Sequence, residues 1–391
     1  MNEFILFENR VSDQQKKDKL FFFNKVDEII CHRGTELEHC FERIATLQQQ
    51  GYYLAGFVSY EAGYHLSPFI FPDLTHENVF PLLHFNAFKS LEYLSNSEVE
   101  KNVLSLAPAG YATCKIHNLR FNLSKEEYSE TFEKIKRYIF HGHTYQVNLS
   151  GKYLFDFEGS PIHLYNQLRE RQRVPYSSLL NFEAYQILSL SPELFFSKSS
   201  ETVVVKPMKG TMPRSCHDEE DIKNKMYLIT DEKSIAENLM IVDLLRNDLN
   251  RVSYPGTVKI ERLMEVTSYE TVHQMTSTIT SRINSRMGLK ELITGLFPCG
   301  SVTGVPKYRT MQIIQELEKE PRKIFTGAIG YITPDNDMCF NVPIRTLLLN
   351  NKKGELGVGS GIVNDSNANH EYDEMQWKAA FFTSMDGLNN E

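Results

Sequence analysis

Residues 323–363 read "KIFTGAIGYITPDNDMCFNVPIRTLLLNNKKGELGVGSGIV". Three apolar segments, 323–332, 339–349 and 354–363, follow one another across short polar links. No helical spacing separates them, so strand leads directly to strand. That order predicts antiparallel pairing and not a βαβ crossover. Two details stand out. Arg345 lies inside the apolar run "NVPIRTLLL", where an arginine needs a partner. A carboxylate ligand held bidentately would satisfy it, and so would an internal ion pair. The glycines of "GVGSGIV" (357–363) are unusual in a strand and fit either a close ligand approach or a plain bulge.

The pattern extends towards the N-terminus. "HTYQVNLSGKYLFDF" (143–157) alternates and is rich in β-branched and aromatic residues, so it reads as a strand. "QILSLSPELFF" (186–196) and "TVVVKPM" (202–208) read as neighbouring strands. Helices are interspersed. Tyr128, Phe132, Ile135 and Ile139 recur at three- and four-residue spacing within 125–141. Residues 231–249 form a second helix, 307–319 a third after a Gly/Pro loop, and 371–385 the last. The expected class is α+β with mostly antiparallel sheets. Residues 1–115 are less clearly patterned and are expected to pack on the main body, 116–391, within one large unit.

Composition narrows the function. The chain has 391 residues, 41% hydrophobic, with a formal net charge of -8. That balance is a poor field for nucleic acid or anionic membranes. Six cysteines are scattered without a C-x-x-C, which argues for reduced thiols over a disulfide framework or zinc site. No apolar run approaches a membrane span and the start is no signal peptide, so a soluble, cytoplasmic protein is expected.

Four features could carry chemistry. Glu237 shares a helix face with Met240, Ile241 and Leu244, where a carboxylate needs a partner. Glu371, Glu374 and Lys378 share a face of the last helix. Carboxylates from separate elements suit Mg²⁺, although for each helix alone an ordinary exposed, salt-bridged face is the plainer reading. The loop "PCGSVTGVPK" (298–307) feeds a helix N-terminus, a ready anion site or a plain loop. Finally, "VVVKPMKGTMPRS" (203–215) holds Lys209 in a turn set by Pro207, Gly210 and Pro213, sixteen residues after Glu193. If the two strands pair, the acid and the amine meet at one cleft, as a general acid and a nucleophile would. A lysine attacks only when unprotonated, whereas an ordinary lysine near pKa 10.4 is almost wholly charged at neutral pH. A solvated loop lysine is the plainer reading.

Taken together, "YQVNLS" (145–150), "SLSPELFF" (189–196), "KPMKGTMPR" (206–214), "AENLMIVDLLRNDLNRV" (236–252), "FPCGSVTGVPKYRTMQII" (297–314), "GAIGYI" (327–332), "IRT" (344–346), "GSGIVNDS" (359–366) and "EYDEMQWKA" (371–379) resemble, in order, the chorismate-utilising enzymes. The resemblance covers roughly residues 120–385 and implies two packed, mostly antiparallel sheets with helices outside. It implies chorismate as substrate, with Mg²⁺ held by Glu237 and Glu374 and with Glu371 close by. It implies that Arg345 and Tyr331 hold the enolpyruvyl carboxylate. Gly359, Ser360, Gly361 and Lys378 would belong to the ring-carboxylate and metal region. Gln146, Thr211, Gln274, Ser301 and Lys307 are implied as further substrate contacts, and Glu193 as the acid that assists loss of the C4 hydroxyl.

Two positions divide that family. Gln146 stands where the isochorismate- and salicylate-forming members carry a base lysine. Lys209 stands where anthranilate-forming members carry alanine, and it is the mark of the aminodeoxychorismate-forming branch. There the lysine is proposed to add at C2, after which ammonia adds at C4. The chain lacks a glutaminase nucleophile motif, so a separate glutamine amidotransferase subunit is implied as ammonia donor. One departure is Gln274, where the family usually has histidine. The neighbouring His273 would point the other way.

Overall fold

The computed structural model describes residues 3–11, 19–72, 78–107, 114–268, 272–385 and 388–389. Its strands form one continuous hydrogen-bonded ladder. From one end the order is Lys115–Phe121, Gln146–Glu158, Lys353–Ile362, Thr346–Asn350, Gln186–Ser191, Tyr176–Asn181 and Phe4–Glu8. It continues through Lys19–Cys31, Leu83–Tyr93, Tyr53–Val58, Ala328–Ile332, Met338–Asn341, Leu194–Ser199, Thr202–Lys206 and Val272–Arg282. Every one of these pairings is antiparallel, as the strand-to-strand order of 323–363 predicts. The two expected sheets are therefore two halves of one ladder, folded over on each other.

Three apolar clusters show how the layers stack. One joins Phe22, Phe57 and Phe88 to Leu180, Ile187, Ile329 and Leu348, so it lies between the halves. Burying a side chain of this size contributes roughly 1.5–3 kcal/mol. A second cluster packs Leu188, Leu347 and Leu356 of one half under Tyr128, Leu168, Met311 and Met375 of four helices. A third packs Phe85, Val203, Ile279 and Phe340 of the other half under Phe41, Ile241 and Leu292. The result is helix, sheet, sheet, helix.

The helices start where local chemistry sets them. Ser124 and Glu127 form a capping box ahead of Lys125–Phe140, and the Asp231 side chain accepts from Ser234 N to open Glu232–Asn250. Asp231 is thus the cap and not part of the first turn. No helix among the described residues is long and apolar enough to cross a membrane. N-terminal strands take part in the ladder directly: Phe4–Glu8 pairs with Tyr176–Asn181, and Tyr53–Val58 with Ala328–Ile332.

Candidate active site

The chain crosses between the halves at Ser191–Leu194 and again at Val342–Arg345. Each crossing carries a proline, Pro192 and Pro343, which has no N–H to give a ladder. The two crossings are bonded to each other: Val342 N donates to Glu193 O (3.0 Å), Leu190 N to Arg345 O (3.1 Å), and Ser191 Oγ to Val342 O (2.6 Å). So the apolar run 339–349 is not one strand. It breaks into Met338–Asn341 and Thr346–Asn350, and Arg345 sits in the break with φ +52°. A non-glycine residue in that region costs of order 1–3 kcal/mol and persists only where its surroundings fix it.

Glu193 is buried at the first crossing, and its Oε1 accepts from Ser301 Oγ at 2.7 Å. Burial raises its pKa to about 7, against the opposing pull of the Ser301 hydrogen bond and the positive charges of Lys209 and Lys378. Ser301 comes from the short turn Gly300–Val302 in the glycine loop. The loop then runs against the Gln146 strand, with Gly304 opposite Val147. A side chain on Gly304 would meet Gln146 O at 2.0 Å, so only glycine allows this approach.

Lys209 lies not in a turn but in a strand, Met208–Pro213, paired with Val272–Arg282. Met208 faces Thr276 and Thr211 faces Gln274, so Lys209 and Gly210 together oppose a single residue, Met275. That is a β-bulge, and Gly210 takes it at φ +88°. The bulge re-aims Lys209, whose ammonium stands 3.9 Å from Glu237 Oε2 on the helix Glu232–Asn250.

Gly361 marks where the side chains meet. A methyl group there would stand 3.3 Å from the Gln146 amide nitrogen and 3.4 Å from Lys209 Nζ. Gln146 is fully buried, and both polar atoms of its side chain lack a partner in the protein. Leaving such an amide unsatisfied costs about 1–3 kcal/mol per group, so this one points to a ligand. On the same strand, Ser360 Oγ lies 3.2 Å from Tyr128 Oη, and Gly359 O accepts from Lys378 Nζ at 2.9 Å. Lys378 also pairs with Glu374 at 2.6 Å. Glu371 is buried and accepts from Ser366 Oγ at 2.7 Å.

Other predicted site residues are placed differently. Among the described residues no three His, Cys, Asp or Glu side chains gather closely enough to hold a metal. Glu237, Glu371 and Glu374 instead face Lys209, Ser366 and Lys378 respectively. The Tyr331 ring packs on Phe7 and Phe22 beside the cluster between the halves, while Arg345 donates to Gln172. Thr211 is exposed opposite buried Gln274. His273 does point away: its ring nitrogens meet Ser268 Oγ (2.8 Å) and Asp221 Oδ1 (3.0 Å).

Lys307 is a correction to its expected role as a substrate contact. Its ammonium is buried and donates to Asp248 Oδ2 (2.6 Å) and Leu296 O (2.7 Å). It ties two helices together in an internal ion pair. Lys307→Ala leaves the Asp248 carboxylate buried without its cation, and is expected to destabilise the fold by about 3–5 kcal/mol. Urea denaturation measures this, and the KM of the folded variant should not change. Asp248, Gln172 and Ser366 were not predicted as site residues. Asp248 and Ser366 lie within family motifs, but nothing in the spacing ties Gln172 to Arg345.

The sequence profile of chorismate binding enzymes matches residues 3–384. The chain belongs to that family. It is 40% identical over 253 residues to aminodeoxychorismate synthase component 1 of Escherichia coli (strain K12), covering 65% of this chain and 56% of that protein. It is 38% identical over 257 residues to anthranilate synthase component 1 of Saccharolobus solfataricus, covering 66% and 61%. The chain thus matches little more than half the length of these curated relatives. The crystal structure of anthranilate synthase component I from Streptococcus pneumoniae TIGR4 superposes with TM-score 0.78 at 26% identity, over 92% of this chain and 91% of that one.

Proposed function

We propose that this chorismate binding enzyme is the aminating component of an aminodeoxychorismate synthase. It would convert chorismate and ammonia to 4-amino-4-deoxychorismate and water, the precursor step to 4-aminobenzoate and folate. The observation that carries this reading is Lys209, turned by a bulge towards Gly361 and Gln146. Its charge also acts on the buried acid Glu193.

The chemistry follows from those groups. The Lys209 amine attacks C2 of chorismate, the two ring double bonds shift from C1=C2 and C5=C6 to C1=C6 and C4=C5, and the C4–O bond breaks. Glu193 gives its proton to the departing hydroxyl, which leaves as water. Ammonia then bonds to C4, both double bonds shift back to C5=C6 and C1=C2, and the C2–N bond to Lys209 breaks. The displaced amine is regenerated and the excess proton passes to Glu193. One hard substitution is thereby split into two easier ones. Gln146 is no base, so it binds the substrate without activating water for attack at C2.

Glu237 and Glu374, with Glu371 nearby, would hold Mg²⁺. All are oxygen donors, and Mg²⁺ needs only one or two protein carboxylates beside an anionic substrate. When bound, the ion would supply positive charge for the substrate carboxylates. Holding the ion would also engage Glu237, which now faces the Lys209 ammonium. Arg345, Gly359, Ser360 and Lys378 would anchor the carboxylates. A glutamine amidotransferase subunit would deliver the ammonia.

The anthranilate-forming alternative has support in the relatives of that name and is separated by product. Purified protein incubated with chorismate, Mg²⁺ and ammonium is expected to yield 4-amino-4-deoxychorismate, identified by mass and retention. Fluorescent anthranilate with released pyruvate would assign the chain to the other branch.

A further inference from the structure

Two fully buried arginines among the described residues each have a carboxylate partner. Arg169 pairs with Glu8 at 2.9 Å, and Arg322 with Glu318 at 2.6 Å. Arg345 differs. Its one recorded side-chain hydrogen bond goes to an amide, Nη1 to Gln172 Oε1 at 2.8 Å. Among the described residues no carboxylate pairs with it. The surroundings are dry enough to lower its pKa to about 10, with burial as the sole cause. The residue is nevertheless only half-buried, so part of it remains open.

We propose that Gln172 is a positioning residue that aims the Arg345 guanidinium at an anionic ligand while leaving its charge unneutralised. An amide oxygen accepts one hydrogen bond and carries no net charge. Arginine has five N–H donors in a planar fork, so an edge remains for a carboxylate to bind bidentately. An acidic partner would hold the fork equally well but would compete with the ligand. Both ends of the contact are anchored. Gln172 caps the helix Pro161–Arg171, with its N–H on Leu168 O at 3.0 Å. Arg345 is held at φ +52° by the crossing, where its carbonyl accepts from Leu190 N. The fold therefore offers a fixed, open cation at the site's edge. The inference rests on the functional reading for the identity of the anion, a carboxylate of chorismate.

The isosteric change Gln172→Glu tests this, because it keeps the shape and supplies the missing counter-ion. The internal pair then competes with substrate. Chorismate KM is expected to rise at least about tenfold with kcat within about twofold, while the melting temperature does not fall. A merely structural role for Gln172 would not give this split. Gln172→Leu, which removes the acceptor, should also raise KM but without the gain of an ion pair. Chorismate affinity is measured by calorimetry alongside turnover. A KM within about twofold of the parent in Gln172→Glu would overturn the positioning role, while formation of the 4-amino product would leave the functional reading intact. If the parent protein made no amino product but lost chorismate affinity in Gln172→Glu, the functional reading would fall and the positioning role would stand. Absence of chorismate binding by the parent protein would overturn both.

Discussion

Lys209→Ala is expected to lower 4-amino-4-deoxychorismate formation from chorismate and ammonium by about 10⁴-fold or more, while chorismate binding changes only a few-fold. Removing a covalent nucleophile eliminates the two-step route and leaves only direct displacement. The loss should not come from unfolding. Lys209 faces Glu237 across 3.9 Å, with 16% and 20% of the two side chains exposed. At that length the contact is no hydrogen bond, so its loss should cost far less stability than loss of the close Lys307–Asp248 pair. The bulge itself is set by Gly210 and the register around it, not by the lysine side chain. Lys209→Arg should fail equally, since a guanidinium stays protonated and cannot attack. Mass spectrometry of the product and calorimetry with chorismate separate chemistry from binding. An alanine variant within tenfold of the parent rate would end the covalent role.

The placement of Lys209 also shows what the sequence could and could not disclose. Pro207, Gly210 and Pro213 looked like a turn. The segment is a strand because its pairing partner, Val272–Arg282, lies some sixty residues away and supplies the ladder. Long-range register of that kind leaves no local signature. The same holds at 339–349, where an unbroken apolar run conceals a crossing and sets Arg345 at positive φ. Elements fixed by local chemistry were legible: the capped helices Lys125–Phe140 and Glu232–Asn250, and the successive strands of 323–363. The N-terminal strands were not. Phe4–Glu8 is buried at every position, so the alternation that betrays a half-buried strand is missing. Within the site, the side chains gathered on Gly361 follow the motifs, because each motif fixes a backbone position. Lys307 misled because a lysine beside a glycine loop suits an anion, and only the fold shows that Asp248 lies within its reach.

Glu193→Gln is expected to lower the rate by about 10²–10⁴-fold and to remove the alkaline limb of the pH profile. The acid must carry its proton to assist loss of the C4 hydroxyl. Burial places its pKa at about 7, so the active form is full below that pH. Above pH 7 the protonated fraction falls about tenfold per unit, so the parent's rate advantage over Glu193→Gln should fall with it, provided free ammonia is held constant across the series. Glutamine keeps the volume and still accepts from Ser301 Oγ, but it has no proton to give. Stability serves as the control. A carboxyl whose folded pKa lies above its ordinary value destabilises the fold increasingly as pH rises from about 4.5 to 7. The glutamine variant lacks that penalty, so at pH 8 it should be no less stable than the parent. Ser301→Ala makes the assignment specific. Its hydroxyl favours the ionised carboxylate, so its loss should raise the Glu193 pKa further and carry the alkaline limb to higher pH. A limb that persisted in Glu193→Gln would assign it to another group. A limb that moved down in Ser301→Ala would break the link between this hydrogen bond and the acid.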